Sequence, residues 1–509
     1  MDHKKLLNQG RRSLLSLIFS RTTLIVLLLA ANFLLLFSFL LGFLEGLPAY
    51  LGSTVVFTAI VLIHVLNTDA NPSVKLSWCI LIGILPIFGT ALYFYVQSDL
   101  GHRVVKRIVN ASIAESLPYV QKPSAPADLP NIVHYLKHRA HAEAYTNSHV
   151  QYFPLGELAF EEMLQQMEKA EKFIFLEYFI IELGQMWNRM LDVLYQKAQA
   201  GVEVRVLYDG TCAVTTLPSN YPKQLEALGI QCKTFAPLRP FVSTHYNYRD
   251  HRKIMVIDGR TAFTGGINLA DEYINLRQKH GHWKDTALMI QGQAVQGFTL
   301  LFLQMWNHSE RVRCFAPYLQ LPDPVCADGL VIPFGCGPSD QEQVGKMVYL
   351  NLIHQAKHTL FIMTPYLILD GEMVTALRFA AQRGVDVRLV LPHIPDKKYA
   401  FLLARSHYRE LLSAGVKIYE YTPGFVHAKV FLADDTQAVV GTINLDYRSL
   451  YLHYECAAYL YKAPALGDIR QDFEDTIEKS QEITQDNLKK PTLFTRLFTA
   501  LLKLLAPLM

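Results

Sequence analysis

The sequence predicts two tandem α/β domains, each a mostly parallel sheet flanked by helices, preceded by transmembrane helices. Three observations support this fold class: a repeated α/β pattern, a histidine–lysine–aspartate motif in each repeat, and a long uncharged apolar segment near the N-terminus. At 509 residues the chain is long enough for two or three domains. An apolar fraction of 51% with 18% charged residues favours membrane association, and a net charge of +3 does not indicate a nucleic-acid partner.

The predicted membrane anchor, residues 1–99, contains two or three hydrophobic segments. Thr22–Phe43 carries no charge and is long enough to cross about 30 Å of hydrocarbon as a helix. Tyr50–Leu66 is marginal in length. Leu76–Val96 is long enough, but it contains Pro86, which favours a bend or a break. The number of spans therefore stays open between two and three.

Basic residues flank the anchor on both sides and leave its topology open. Those before the first segment favour a cytoplasmic N-terminus, and those after the third favour the same side for the rest of the chain. Three spans would instead place the two groups on opposite sides. The two groups are Lys4, Lys5, Arg11, Arg12 and Arg21, and His102, Arg103, Lys106 and Arg107.

The C-terminal tail, residues 489–509, is predicted to form an amphipathic helix. Leucine and phenylalanine residues fall on one helical face from Leu493 onward, and threonine, arginine and lysine residues fall on the opposite face. Such a helix either lies in the headgroup layer of a membrane or packs against the protein's own core.

The body of the chain is a tandem duplication that follows a linker at residues 100–140. GVEVRV from Gly201 and GVDVRL from Gly384 are near copies, 183 residues apart, and each follows a helical stretch and precedes another. The order of helices and strands around them is the same. We therefore predict one domain at 141–322 and a second at 323–488.

Each half contains an HxKxxxxD motif with a downstream asparagine. In both copies the lysine lies two residues, the aspartate seven residues and the asparagine seventeen residues after the histidine. A single copy would be weak evidence, whereas two copies with the same spacing inside a duplicated fold are strong evidence of one composite site. The motif residues are His251, Lys253, Asp258 and Asn268 in the first half and His427, Lys429, Asp434 and Asn444 in the second.

These residue types suit chemistry on a phosphate group. On a strand, the histidine and lysine of HxK point to the same face. Imidazole can act as a nucleophile or a proton donor near neutral pH, and the ammonium and amide groups can bind anionic oxygens. Two such sets would form a preorganised anion site that needs neither metal nor cofactor.

The cysteines do not indicate a metal site or a disulfide framework, because no pair has CxxC or Cys/His spacing. We expect them to be buried thiols. They are Cys79, Cys212, Cys232, Cys314, Cys326, Cys336 and Cys456.

The paired motifs resemble the HKD motifs of the phospholipase D superfamily. The resemblance implies two phospholipase D-like domains that meet about a pseudo-twofold axis, with both motifs at the interface. It also implies a covalent phosphohistidine intermediate, with His251 as nucleophile and His427 as acid and then base. Symmetry within the sequence does not itself choose between the two histidines.

The same resemblance suggests roles for four carboxylates. Superfamily members often orient each catalytic histidine with a carboxylate downstream of a motif, and the matching residues are Asp285 in HWKD and Glu455 in YLHYEC. We expect the motif aspartates, Asp258 and Asp434, to brace the strand–turn geometry and the lysines rather than contact the substrate.

Across almost the whole chain the sequence is similar to bacterial cardiolipin synthases. The similarity includes NPSVKLSW from Asn71, GGINLADEY after the first motif and GTINLDYRSLYLHYE after the second. It implies a multi-pass protein of the bacterial inner membrane that joins two phosphatidylglycerol molecules into cardiolipin and releases glycerol. Tyr178, Tyr366 and Phe425 would shield the cleft, hold acyl chains or belong to the core.

Two alternatives remain at the level of sequence. A membrane-bound phospholipase D would hydrolyse phospholipid to phosphatidate, and a non-enzymatic membrane scaffold would have a degenerate form of the fold. Both motifs are intact, which disfavours the scaffold. The sequence has no basic stripe with interleaved aromatic residues, so no nucleic-acid partner is expected, and it does not define the oligomeric state.

Overall fold

The structure is a computed structural model that describes residues 47–98, 100–123, 129–237, 248–488 and 492–506. These residues form two compact units. We call them the body, which comprises residues 105–123, 129–237 and 248–488, and the terminal unit, which comprises residues 47–98, 100–104 and 492–506. The first apolar segment, Thr22–Phe43, lies outside the described residues.

The helices, numbered along the described chain, alternate with strands through the body. They are α1 Leu47–Leu66, α2 Pro72–Ile84, α3 Pro86–Ser98, α4 Leu100–Ser116, α5 Asn131–Arg139, α6 Gly156–Glu168, α7 Gln185–Gln199, α8 Cys212–Thr215, α9 Tyr221–Glu226, α10 Val295–Trp306, α11 Val344–Gln355, α12 Gly371–Gln382, α13 Lys398–Ser413, α14 Tyr447–Tyr451, α15 Ala465–Glu478 and α16 Leu493–Leu505.

The strands all lie in the body. They are β1 Ser148–Phe153, β2 Phe173–Tyr178, β3 Glu203–Asp209, β4 Gln231–Phe235, β5 Lys253–Ile257, β6 Thr261–Gly265, β7 His282–Lys284, β8 Ala287–Gly292, β9 Leu330–Cys336, β10 Thr359–Met363, β11 Asp386–Pro392, β12 Lys417–Tyr421, β13 Gly424–Val426, β14 Val430–Ala433, β15 Gln437–Gly441, β16 Glu455–Tyr461 and β17 Ser480–Ile483.

In the terminal unit the third apolar segment is a helical hairpin, with the break at the expected proline. Helix α2 ends at Ile84 and α3 begins at Pro86. The ring centres of Trp78 and Tyr93 are 5.3 Å apart, whereas fifteen residues of straight helix would separate them by about 22 Å. Gly89 permits this approach, since a Cβ there would stand 2.8 Å from the Ile82 Cα.

Helix α1 packs on the hairpin, and Val61, Val65 and Ile82 join the two aromatic rings in a small core. Helix α16 contacts α2, where the Ser77 hydroxyl donates to the Leu504 carbonyl. Within the described parts of the chain, no helix combines the length and the apolar character that a membrane crossing requires.

The body contains two large sheets of matching topology. The first has the strand order β1-β8-β6-β5-β2-β3-β4, and the second has β17-β12-β11-β10-β14-β15-β16-β9. In reverse order the second sheet runs β9-β16-β15-β14-β10-β11-β12-β17. Its first seven strands in this order correspond one to one to the seven strands of the first sheet. The motif strands β5 and β14 occupy equivalent central positions, so the duplication inferred from sequence is present in the fold.

The sheets are mixed, and the expectation of mostly parallel sheets was wrong. Among the described strands, β2–β3–β4 and β10–β11–β12 are parallel, and the other neighbours in each sheet are antiparallel. The sequence pattern revealed the helical crossovers that make strands parallel. It did not reveal that each motif strand returns at once through a tight hairpin, which forces antiparallel pairing.

The two halves share one apolar core, which helix α10 helps to fill with residues such as Phe298, Phe302 and Trp306. Strand β6 of the first half lies against β15 and β16 of the second. A short parallel pair, β7 with β13, also joins the halves. Both motif histidines lie beside these contacts between the halves.

Candidate active site

The two motif histidines stand at equivalent places, just before strands β5 and β14. The backbone N–H of His251 donates to the carbonyl of Tyr454 at 2.9 Å, and that of His427 donates to the carbonyl of Lys284 at 2.7 Å. Each histidine is thus fixed by a backbone hydrogen bond to the opposite half of the body. Because the same backbone hydrogen bond occurs in both halves, the surroundings of the two histidines are related in the way that the expected pseudo-twofold axis requires.

The carboxylates are exchanged between the halves. Nδ1 of His251 lies 2.9 and 2.8 Å from the two oxygens of Glu455, and Nδ1 of His427 lies 2.6 Å from Oδ2 of Asp285. Glu455 and Asp285 are fully buried, and both histidines are nearly so. Each predicted orienting carboxylate therefore contacts the histidine of the other motif. Because Nδ1 faces a carboxylate, Nε2 of each imidazole is left for a substrate.

The glycine-rich turn after each motif makes room for these carboxylates. A Cβ at Gly266 would lie 2.0 Å from Oδ1 of Asp285, so only glycine permits this approach. The corresponding residue in the second half is Thr442, whose hydroxyl donates to Oε2 of Glu455. Where the first half has the second glycine of GGIN, the second half has the threonine of GTIN. The carboxylate that contacts His251 therefore receives a hydrogen bond that the carboxylate beside His427 lacks at the equivalent place.

The motif lysines are buried beside the histidines. Nζ of each lysine donates to the backbone carbonyl of its own motif histidine, Lys253 to His251 at 2.6 Å and Lys429 to His427. Nζ of Lys429 also lies 2.9 Å from Nδ1 of His427. Burial lowers the pKa of Lys253 to about 8 and that of Lys429 to about 7. The lysines therefore lose their charge more readily than exposed lysines do.

Both imidazoles are held neutral in the free site. Burial, followed by repulsion from Lys253 and Lys429, keeps the pKa of His251 well below its ordinary value. Burial and the neighbouring Lys429 lower the pKa of His427 to about 4, although Asp285 opposes this shift. Repulsion from His427 also contributes at His251, which places both motifs in one electrostatic environment.

Asp285 remains a strong partner for His427. Burial alone would raise its pKa, but the positive charges available on His427 and Lys429 outweigh burial and hold the pKa of this carboxyl below its usual value. The backbone N–H of Thr286 also donates to it at 2.9 Å. A charged carboxylate can stabilise an imidazolium, as a general acid requires.

The two motif asparagines differ in their contacts. Asn268 accepts from the Ile180 N–H at 3.0 Å and donates to the Tyr273 hydroxyl at 2.8 Å. The side-chain oxygen of Asn444 is buried and has no hydrogen-bond partner among the described residues. Both amides lie in the buried interior of the body, and one N–H of Asn268 stays available for a phosphate oxygen.

The motif aspartates lie at the far ends of their strands, away from the imidazoles. Asp258 accepts the backbone N–H groups of residues 171, 172 and 173 at 2.7–2.8 Å, and Asp434 accepts those of residues 357, 358 and 359 at 2.7–2.9 Å. Their left-handed φ values are 54° and 52°. They brace the strand–turn geometry as expected, but they contact neither lysine, so a catalytic role at the imidazoles finds no support in the geometry.

Sequence reasoning missed His453, whose buried ring lies 5.5 Å from that of His251. The equivalent residue in the other half is Trp283, 5.3 Å from the ring of His427. Both stand two residues before the orienting carboxylate. Alignment of HWKD with HYE about Asp285 and Glu455 would have revealed this pair of rings.

His251, His453 and Glu455 also form the one group of three potential metal ligands within the described chain, with ligand atoms within 4.8 Å of one another. Two of the three already bind each other, and Lys253 lies in the same buried environment. The positive charges of Lys253 and Lys429 act on the same imidazole and disfavour a further cation at His251.

The aromatic residues singled out from the sequence differ in position. Phe425 is buried with its ring 5.9 Å from that of His427, and Tyr366 lies 6.4 Å from Phe425 and donates to Asp396 at 2.6 Å. Tyr178 belongs to the core of the first half.

Two cysteines, Cys314 and Cys326, are exposed, which corrects the expectation of buried thiols. Cys79 is half-buried, and the other four are buried.

Comparison with known proteins agrees with this geometry. A family profile described as "Cardiolipin synthase, PLD-like domain" matches residues 163–306 and 349–477. A second profile, described as "Phospholipase_D-nuclease N-terminal", matches residues 56–97. The first covers more than half of the chain and includes both motifs.

Curated relatives match along nearly the full chain. A cardiolipin synthase of Alkalihalophilus pseudofirmus is 33% identical over 477 residues, which cover 90% of this chain and 93% of the relative. An uncharacterized protein of Streptococcus mutans is 50% identical over 456 residues, with 88% and 99% covered. Among solved structures, a phosphatidylserine synthase of Haemophilus influenzae superposes with a TM-score of 0.56 at 14% identity, covering 71% of this chain and 95% of that one. This last likeness concerns the fold alone.

Proposed function

The chain belongs to the PLD-like cardiolipin synthase family, and we propose that it transfers a phosphatidyl group from one phosphatidylglycerol to another. The products are cardiolipin and glycerol. Phosphodiester bonds are exchanged for similar bonds, so the reaction needs no nucleotide. Two steps through a covalent phosphohistidine account for the paired motifs.

The observation that carries this proposal is the reciprocal exchange of carboxylates between the two motif histidines. One carboxylate per imidazole fixes the Nδ1–H tautomer and leaves each Nε2 for chemistry at phosphorus. Because each pair draws on both halves, the two motifs form one site with two separately oriented imidazoles. Double displacement requires two such groups, one to bond phosphorus and one to move protons.

In the first step, Nε2 of His251 attacks the phosphorus of phosphatidylglycerol. The nitrogen–phosphorus bond forms as the bond to the glycerol oxygen breaks, and His427 donates its Nε2 proton to that oxygen. A neutral His251 supplies the required lone pair. The anionic phosphodiester favours protonation of His427, because a nearby negative charge raises the pKa of an imidazole.

In the second step, a hydroxyl of the second phosphatidylglycerol gives its proton to His427 and attacks the phosphorus. The nitrogen–phosphorus bond breaks and both histidines return to their starting states. Lys253 and Lys429 would neutralise the phosphoryl oxygens in both steps, which Asn268 assists through its available N–H. Water must be kept from the intermediate, or hydrolysis to phosphatidate would compete.

We also propose that the protein acts at the bacterial inner membrane as a multi-pass protein, with Thr22–Phe43 as one span. Two described helices in the terminal unit support contact with lipid, because each has a row of strongly exposed apolar side chains. On α1 these are Val55, Val56, Phe57, Ile60, Ile63 and Leu66, and on α16 they are Leu493, Phe494, Leu497, Phe498 and Leu501.

The hairpin of α2 and α3 is better suited to re-entry than to a crossing. Each helix has 13 residues and is about 20 Å long, shorter than the hydrocarbon layer. A hairpin returns the chain to the side from which it entered. The membrane face on which the basic residues after α3 lie is then set by the segments before α2.

Incubation with labelled phosphatidylglycerol in vesicles, followed by separation of the lipids, tests the reaction. We expect cardiolipin and glycerol, undiminished by excess EDTA, and no product from His251→Ala or His427→Ala. Phosphatidate as the main lipid product would identify a hydrolase. Loss of activity in EDTA that added divalent metal restores would overturn the metal-free chemistry.

A phosphatidyl ester of p-nitrophenol tests which histidine is the nucleophile. Nitrophenolate leaves without protonation, so the first step no longer needs a general acid. His427→Ala should therefore give a burst of one nitrophenolate per site, and His251→Ala should give none. The opposite pattern would assign the nucleophile to His427.

A further inference from the structure

His453 is a buried imidazole that the proposed chemistry does not use. Its side chain is 9% exposed, and neither ring nitrogen has a hydrogen-bond partner among the described residues. Burial lowers its pKa to about 4, so the ring is neutral, with one N–H donor and one acceptor. A buried polar group left in this state carries a free-energy cost and calls for an explanation.

The nearest carboxylate to this ring is the one that orients His251. Nδ1 of His453 lies 3.7 Å from Oε1 of Glu455, beyond hydrogen-bond distance by well under 1 Å. Among the described residues, the hydrogen bonds to this carboxylate come from Nδ1 of His251 and from the Thr442 hydroxyl, which bonds Oε2. Oε1 thus has room for one more donor.

The duplicated fold provides an internal comparison. Trp283 holds the place of His453 in the other half, and its ring packs on His427 as that of His453 packs on His251. The indole has no nitrogen equivalent to Nδ1. The N–H of Trp283, at Nε1, is also buried without a partner among the described residues. The difference between the halves is therefore one of position, since only His453 can carry a donor at the ring position that faces the orienting carboxylate.

We propose that His453 is a positioning residue for the nucleophilic half of the site, and that its Nδ1–H donates to Oε1 of Glu455 when His251 bonds phosphorus. A phosphorylated imidazole that keeps its Nδ1 proton is cationic and attracts the carboxylate of Glu455. The orientation of that carboxylate must then be fixed for the hydrogen bond to Nδ1 to persist. A donor on the opposite side of the carboxylate restrains its rotation. This inference rests on the phosphohistidine reaction proposed above.

The p-nitrophenyl substrate isolates the affected step, because its burst depends on the nucleophile and its supports alone. We expect His453→Phe to slow the burst about 10- to 100-fold, the range for lost outer hydrogen bonds to a ligating histidine. His453→Asn should restore most of the rate, because its amide nitrogen stands near the position of Nδ1. His453→Gln, whose amide lies nearer the position of Nε2, should not.

Trp283→Phe is the matched control, since it leaves the same phenyl ring at both equivalent positions. We expect its burst to stay within about threefold of wild type, because no hydrogen bond to a carboxylate is lost. Burst amplitude, read separately from rate, counts the folded sites in every variant.

Three results would overturn the inference. Equal slowing by Phe and Asn would mean that His453 matters only for packing. A raised KM with an unchanged burst rate at saturation would make it a substrate ligand. An unaltered burst in His453→Phe would remove any role. If neither wild type nor His427→Ala gave a burst or bound a phosphatidyl group covalently after rapid quenching, the phosphohistidine reaction itself would be rejected.

Discussion

Replacement of Glu455 by glutamine tests the exchanged carboxylates most directly. The substitution keeps the size of the side chain and one acceptor oxygen, but it removes a fully buried negative charge 2.8 Å from Nδ1 of His251. The charge matters most in the transition state, when attack on phosphorus makes the imidazole cationic. The uncharged amide leaves that cation without a counter-charge.

The expected magnitude follows from Coulomb's law. The centres of an imidazolium and a carboxylate in contact are about 4 Å apart, and at an effective dielectric constant of about 20 the attraction is about 4 kcal/mol. Since about 1.4 kcal/mol corresponds to a tenfold change in rate, Glu455→Gln should slow formation of the intermediate about 10³-fold. Substrate binding should change far less, because the ground-state imidazole is neutral.

Rapid-mixing measurement of the nitrophenolate burst provides the assay. Asp285→Asn is the matched control, since it makes the same change beside His427, which the nitrophenyl substrate does not need as an acid. We expect Asp285→Asn to release its burst of nitrophenolate at nearly the wild-type rate. It should then fail to transfer the phosphatidyl group to phosphatidylglycerol. Equal burst rates in Glu455→Gln and wild type would refute the assignment of Glu455 to the nucleophile.

Three further outcomes are expected. The ratio kcat/KM should fall more steeply as the pH rises through about 7 to 8, because Lys429 and Lys253 lose the charge that binds the anionic substrate; a pH–rate profile without this added loss would contradict the role of the lysines. Asp434→Ala, which leaves three backbone N–H groups unbonded, should lower the melting temperature by several degrees with little change in kcat per folded site; a large fall in kcat per folded site would mean that Asp434 takes part in catalysis. Gly266→Ala should displace Asp285 and reproduce the transfer defect of Asp285→Asn in the lipid assay, and normal transfer would show that the turn can yield.

The sequence was sufficient to predict those features of the fold and the site that occur in both halves. The spacing from His251 to Asn268 recurs from His427 to Asn444, and this regularity predicted the duplication and the composite site. Asp285 and Glu455 came from family resemblance, and both proved to contact a motif histidine.

What the sequence could not provide depends on contacts between distant residues. Glu455 lies 204 residues from the histidine that it orients, and local spacing favours pairing each carboxylate with its own motif. The mixed sheets were missed for a related reason. Helical crossovers have a visible period, whereas the direction of a returning hairpin depends on a turn of a few residues such as Asp258–Gly259.

The exchange of carboxylates also explains why the two motifs must act as a pair. Separation of the halves would deprive His251 of Glu455 and His427 of Asp285 at the same time, and would remove the backbone bonds at Tyr454. Neither half alone would then hold even one oriented imidazole. The exchange thus makes the proposed catalysis depend on correct packing of the halves, and it does not require the two flanking rings to be the same. Trp283 and His453 differ in this way, and in the proposed reaction that difference would allow two copies of one motif to serve as nucleophile and proton carrier.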